Sequence, residues 1–308
     1  MATGDGAART ARRAAASGLA VFALALSGFG DALETRAGLP LLYALRGPRT
    51  PPADAALVAI DTGGLDRLRA TARIGGLADC LDGPGREALT RARNVEDMPR
   101  ALYACAIRRL RAAGARAIAL DVHFGAPGET HDDAALAESL PGAPPVYLLE
   151  RIESVGEATL RRRPLRLFAE AAAGTGFFTV EDRPSGVWRT RRNAPGHPGA
   201  RSMVDMVAAG AGPLPEPAPR TPAEPQLWRI LDLYGPPGTI PAIPFDRLIE
   251  AQEAAAEAAG RVAFVGAASL GARAERDRFT TPWPGGRSEV AGVELMATAF
   301  LNRSEERR

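Results

Sequence analysis

The chain has 308 residues, 46% of them hydrophobic and 24% charged, so it can bury a substantial core and is too apolar for wholesale disorder. Its formal net charge is +2, and all 38 of its strongly basic residues are Arg. A nucleic-acid binder would gather such residues with aromatics on one face, but the densest run, Arg161–Arg163, has no aromatic before Phe168 and reads as solvated surface.

At the N-terminus, Arg9, Arg12 and Arg13 precede an uncharged stretch of 17 residues, Ala14–Gly30, closed by Asp31. That length is at the lower limit for crossing a bilayer, and the preceding arginines orient it with the following chain outside the cytoplasm. Ala23-Leu-Ala25 offers a signal-peptidase site, but cutting there leaves a short apolar region, so the stretch is read as an uncleaved anchor. The expected organisation is a cytoplasmic basic tail (1–13), the anchor (14–30), a connector (31–52), one large domain (53–303) and a short tail (304–308). Export would place Cys80 and Cys105, the two cysteines of the chain, where a disulfide persists. Cys105 also falls with Leu102, Ala106 and Leu110 on one side of a helix, where a free Cys behaves as a small apolar residue. Both readings stay open.

Beyond the connector, apolar runs of strand length alternate with helical patterns. Residues 56–60 and 117–120 read as buried strands, each ending in an acid, Asp61 or Asp121; 146–149, 176–180, 227–234 and 262–265 are the other candidates. The helix before the second strand has Asp97 as its expected cap, Pro99 in its first turn and Gly114 to end it. Further helices are expected at 133–140, 165–173, 202–209, 245–259 and 290–302, whereas 81–94 reads as a polar interruption and 210–225 as a Pro-rich loop. The alternation predicts an α/β fold with a largely parallel or mixed central sheet covered by helices on both faces, behind the N-terminal anchor helix.

Ligands of open α/β sheets gather beyond the carboxyl ends of the strands, which singles out Asp61, Asp121, His123, His131, Asp132 and Asp133. Carboxylates with imidazoles can hold a divalent metal; the same residues can instead satisfy loop amides and cap helices. Ala267-Ala-Ser-Leu-Gly271 resembles a nucleophile elbow, but His123, His131 and His197 all precede Ser269, against the order of that fold. Gly235-Pro-Pro-Gly-Thr239 lacks the Gly-Lys-Ser/Thr of a phosphate-binding loop, and no G-x-G-x-x-G follows a strand. Trp188, Trp228 and Trp283 are scattered and read as core or rim aromatics.

Taken in order, several motifs resemble one family, the CHASE type-2 domain, a sensory module found outside the membrane in bacterial receptors. They are Val58-Ala-Ile-Asp61, Pro99-Arg100, Ala113-Gly-Ala115 before the strand ending Asp121-Val-His-Phe124, Asp132–Ala137, Gly176-Phe-Phe178, Asp182–Arg189, Arg191-Arg192, Leu233-Tyr-Gly-Pro-Pro-Gly-Thr239, Gly266-Ala-Ala-Ser269, Thr281-Pro282 and Ala291-Gly-Val-Glu-Leu295. The resemblance covers roughly residues 54–302. It departs from the family at Glu96-Asp-Met98, where tryptophans are common, and at Met296, where a His is common.

The resemblance implies a non-catalytic, membrane-anchored bacterial sensor that binds an unknown small ligand or an envelope protein outside the cytoplasm and relays it across the membrane. It admits homodimers, does not engage nucleic acid, and specifies no cofactor. In the family the chain re-enters the membrane toward a cytoplasmic effector such as a kinase or nucleotide cyclase. This sequence ends at Arg308 without a second apolar span, so either further transmembrane helices lie beyond it or this is a single-anchor variant. Strand-end geometry, independently of the family, makes Asp61, Asp121, His123 and Asp132 the expected ligand-binding residues, with no metal assigned. The alternatives are a metal-dependent hydrolase using the same Asp/His cluster and a non-catalytic docking domain.

Overall fold

Alternate residues of the buried strands face opposite layers, so a single strand contributes to two cores. On the first long strand Val58 and Ile60 join one cluster while Ala55 and Leu57 join the other. A computed structural model describes residues 37–155, 158–181, 186–187, 189–194, 196–211, 228–269, 278–284 and 289–306. The expected anchor and basic tail, Trp188, residues 182–185, most of the Pro-rich stretch and the Leu270-Gly271 end of the elbow-like turn lie outside these residues. Among the described residues no helix is long and apolar enough to cross a membrane.

In chain order the elements are α1 (Leu39–Arg46), β1 (Ala55–Asp61), α2 (Thr62–Arg73), α3 (Gly83–Arg91), α4 (Arg100–Ala112), β2 (Ala117–Asp121), α5 (Thr130–Ser139), β3 (Val146–Val155) and β4 (Ala158–Arg162). They continue as α6 (Arg166–Ala171), β5 (Gly174–Phe177), β6 (Arg189–Arg191), α7 (Met203–Gly210), β7 (Trp228–Ile230), β8 (Ala242–Pro244) and α8 (Phe245–Glu250). A 3₁₀ turn (Gln252–Ala258), β9 (Val262–Ser269), β10 (Arg278–Thr280), β11 (Glu289–Ala291) and α9 (Gly292–Glu305) complete the chain.

Parallel pairing runs in the order β5-β3-β2-β9-β1-β8, so β9 enters last and separates β1 from β2. The outer half of β3 pairs antiparallel with β4, which makes the central sheet mixed. Two small ribbons, β6-β7 and β10-β11, lie apart from it. One face carries the core of Leu65, Leu68, Leu102, Cys105, Leu110 and Phe245; the other carries Tyr43, Met203, Val207, Phe264, Phe300 and Leu301. Burying both faces explains why the central strands read as continuous apolar runs.

Three helices fall where the sequence pattern gave none, and local capping explains two of them. Asp61 accepts the Gly64 N–H at 2.6 Å to start α2, and Asp82 accepts the Gly85 N–H at 2.7 Å to start α3 inside the supposed interruption. Glycines in both first turns weaken helix propensity, so the caps carry the start. The third, α1, lies in the connector and is anchored by Tyr43, whose hydroxyl donates to the Leu231 carbonyl at 3.3 Å. The strand expected at 227–234 shrinks to β7, which pairs with β6 and not with the central sheet. The helix expected at 245–259 breaks at Ala251, and the three-residue β8, with its Pro244, occupies the edge of the sheet where proline is tolerated.

Cys80, between α2 and α3, is disulfide-bonded to Cys105 of α4 across a Cα separation of 5.4 Å. The two ends of the described chain also meet. Arg46 of α1 and Arg49 bond the Asp232 carboxylate at 2.5 and 2.6 Å. The Asn302 side chain of α9 accepts the Asp232 N–H at 2.9 Å and donates to its carbonyl at 3.1 Å.

Candidate functional site

The strands β1, β2 and the sheet-paired part of β3 end in Asp61, Asp121 and Glu150, and each carboxylate has a different role. Asp61 is spent as the cap of α2. Asp121 lies opposite Gly266 of β9, where an added Cβ would come within 2.8 Å of the Asp121 Cβ and 3.0 Å of the Val293 Cβ. Glycine there lets the first turn of α9 press against the sheet beside Asp121. Because β9 intervenes, Asp61 and Asp121 are two strand spacings apart, about 10 Å at the backbone.

Glu150 is buried, and Arg161 of β4 reaches it from Nε at 2.6 Å and from Nη2 at 2.9 Å; Thr175 also donates to it. Burial pushes the Glu150 carboxyl up, but the hydrogen bonds from Arg161 and Thr175 outweigh it and bring the group below the usual carboxylate range. Arg161 is therefore an ion-pair partner at the sheet end, a correction to the solvated-surface reading of the 161–163 run. Glu150 follows the apolar run Val146–Leu149 just as Asp61 and Asp121 follow theirs, a signal present in the sequence but not used.

The residues after β2 build the wall of a cleft. His123 points Nδ1 at the Leu149 carbonyl, 3.4 Å away, and burial pulls its imidazole below the ordinary value, which favours the neutral form. Asp132, in the first turn of α5, accepts the Arg100 and Ala101 N–H groups at 3.2 and 3.3 Å and so caps α4 from a neighbouring helix. The N-cap position of α4 is Pro99, which has no side-chain acceptor; Asp97, the expected cap, accepts from Asn94 at 2.8 Å instead. Asp133 pairs with Arg100 and accepts the Gly128 N–H at 3.1 Å. The buried Arg100 guanidinium also lies over the rings of Phe124 and Phe168, 5.9 and 5.1 Å from their centroids. His131, beside Asp132 in the sequence, lines neither cavity and faces Asp82 at 3.7 Å.

The cleft has a volume of about 1250 Å³ and lies between residues 88–100, the loop 123–129 and the β3-β4 hairpin. His123 and Asp132 line it; Asp121 lines a neighbouring cavity of about 280 Å³ with Glu150, Phe178 and Phe279; Asp61 lines neither. Glu96, Arg151 and Glu153 border both cavities, so the Arg151–Glu96 ion pair stands between them. Among the described residues no group of three or more His, Cys, Asp or Glu side chains is placed to hold a metal ion. The donors that a metal-dependent hydrolase would need are dispersed over three locations.

A family model for the CHASE2 domain matches residues 16–304, nearly the whole chain. The chain belongs to the CHASE2 domain family. CHASE2 domains are sensory domains of membrane receptors and are generally non-catalytic. Comparisons with curated proteins and with solved structures found no match. The match begins inside the uncharged stretch 14–30. Of the two departures from the CHASE2 pattern, Glu96-Asp-Met98 lines the large cleft, whereas Met296 is fully buried in the core and lines neither cavity.

Proposed function

We propose that this chain is the extracytoplasmic sensor of a membrane receptor, anchored by residues 14–30, and that it binds a small ligand in the cleft at the carboxyl ends of β2 and β3. The observation that carries the assignment is the cleft itself. It opens at the end of a parallel sheet where ligands of such folds gather, and three separate chain segments form its walls. His123 and Asp132 are positioned there, Asp121 behind the Arg151–Glu96 pair, and Asp61 acts only through α2.

Two further features support the reading, one the compartment and the other the nearness of a membrane. The Cys80–Cys105 disulfide suits an oxidising compartment. Exposed Leu41, Leu42 and Leu45 on α1 lie soon after the uncharged stretch, as on a helix resting on a membrane surface. Binding would be relayed through the tie between α1 and α9, provided the ligand favours one of two arrangements of those helices.

The test is a thermal-shift screen of the purified chain beside Ala126→Trp, which fills the cleft from an exposed position on its wall. A ligand of the folded cleft raises the melting temperature of the wild type alone. Stabilisation that is equal in both proteins, for every compound that acts, would refute the site. A reporter enzyme fused after Pro52 that works only in the cytoplasm would refute the topology.

A further inference from the structure

We infer that the cleft binds a small oxyanion of at least two negative charges, gripped between Arg93 on one wall and the Arg162-Arg163 end of the hairpin on the other. The inference rests on the cleft being the ligand site and adds the class of ligand.

The hairpin supplies the first observation. Arg151 of β3 and Arg162 of β4 are direct cross-strand partners, so two guanidiniums project from the same face of the ribbon, and both line the cleft. Like charges directly opposite one another destabilise a strand pair unless something lies between or beside them. The protein provides one acid for each, Glu96 for Arg151 and Glu153 for Arg162 at 2.6 Å.

Two further arginines have no acid of their own. Arg163 lines the same cleft, and its one acid is Glu150 at 3.4 Å, already engaged by both Arg161 bonds. Arg93, exposed on the opposite wall, has no hydrogen bond or ion pair among the described residues. Neither Asp132, held at the first turn of α4, nor Asp97, held by Asn94, forms an ion pair with Arg93 or Arg163 among the described residues. Glu129, which precedes α5, also lines the cleft.

Two guanidiniums lining one cleft suit a phosphate or a polycarboxylate, whose oxygens accept paired N–H bonds; a neutral sugar or a cation would leave them unanswered. The departure at Glu96-Asp-Met98 fits this class, because Glu96 pairs with Arg151 and leaves Arg93 and Arg163 as the cleft arginines with no acid of their own.

The experiment is isothermal titration of the 308-residue chain in detergent with pyrophosphate, citrate and sucrose, repeated with Arg93→Ala, Arg163→Ala, Arg93→Lys and Ala126→Trp. Wild type should bind pyrophosphate or citrate, the two separating phosphate from carboxylate sources, and should ignore sucrose. Each Ala variant should weaken binding at least tenfold, Arg93→Lys should weaken it less, and Ala126→Trp should abolish it. The affinity should also fall as salt is raised. Anion binding that is unchanged in both Ala variants would overturn the inference. So would a neutral compound that binds wild type but not Ala126→Trp while no anion binds, and that result would leave the cleft itself standing. If no compound distinguishes wild type from Ala126→Trp, both fall. Both arginines are exposed, so the variants keep the fold, which the melting temperature verifies.

Discussion

Glu294, in the first turn of α9, clasps the turn that contains Gly238: both carboxylate oxygens accept the Gly238 N–H, at 2.9 and 3.1 Å. One interaction thus accounts for two motifs of the chain, Tyr234-Gly-Pro-Pro-Gly-Thr239 and Gly292-Val-Glu294. The turn works as a carboxylate clasp that fixes the start of the helix buried against the sheet.

That clasp predicts an unusual pH dependence. Burial raises the Glu294 carboxyl above its ordinary 4.5, against the pull of the N–H groups of Gly238, Ile240 and Thr239. A carboxyl raised in the folded state binds its proton more tightly there than in the unfolded chain. Its contribution is therefore complete below 4.5 and is lost as pH rises through the raised value. Glu294→Gln keeps an acceptor and removes the ionisation, so it should gain stability relative to wild type as pH rises. Denaturant melts from acid to neutral pH measure the difference, and a constant gap across the series would count against it.

Glu150 has the opposite sign. Its carboxyl is lowered, so its contribution is present above 4.5 and disappears as pH falls through the lowered value. Arg161→Ala leaves a buried charge with weak compensation and should cost about 3–5 kcal/mol at pH 7, more than Glu150→Gln, with the cost shrinking in acid. Equal losses for the two variants at neutral pH would refute this account.

Asp132→Ala should cost about 0.5–2 kcal/mol, the range for removing a helix cap, because α4 has no acceptor of its own at Pro99. Asp132→Asn keeps one oxygen and should cost less. Melting curves distinguish the cap from a surface charge, for which both variants would be near neutral.

These carboxylates show what was legible. The buried strands announced themselves through apolar runs, and Asp61 and Asp121 marked their ends, because burial on both faces leaves no polar alternation to confuse. Glu150 escaped notice because its partner, Arg161, lies on an antiparallel return strand of alternating exposure that no apolar run marks. The cap of α4 escaped because Asp132 is 32 positions away from Arg100, and no local rule sees across that distance. The cleft arginines read as surface for the same reason: their meaning depends on register between β3 and β4.

The disulfide closes a loop across a separation of 25 residues. In the chain-entropy description that is worth about 3.5 kcal/mol of stability. A variant with Cys80→Ser and Cys105→Ala should lose roughly that amount and become indifferent to reductant, whereas the wild type should weaken on reduction. Equal stability of wild type with and without reductant would show that the thiols are unpaired in solution.

Asp232 joins the two ends of the described chain through contacts of two kinds, and they should separate on mutation. Its carboxylate bonds to Arg46 and Arg49 are half-exposed, and pairs of that kind contribute about 0–1 kcal/mol. Asn302, by contrast, is buried and satisfies both the N–H and the carbonyl of Asp232. Removing it leaves those backbone groups without their partner at a cost of about 1–3 kcal/mol. Asp232→Ala should therefore barely change the melting temperature while raising hydrogen exchange in α1, and Asn302→Ala should lower the melting temperature outright. If α1 and α9 carry the signal, Asp232→Ala should also erase any ligand-dependent change in distance between spin labels at Leu45 and Glu306. A ligand-induced change that survives in Asp232→Ala would mean that the helices communicate through the sheet, and that the Arg46 and Arg49 pairs only fasten the connector.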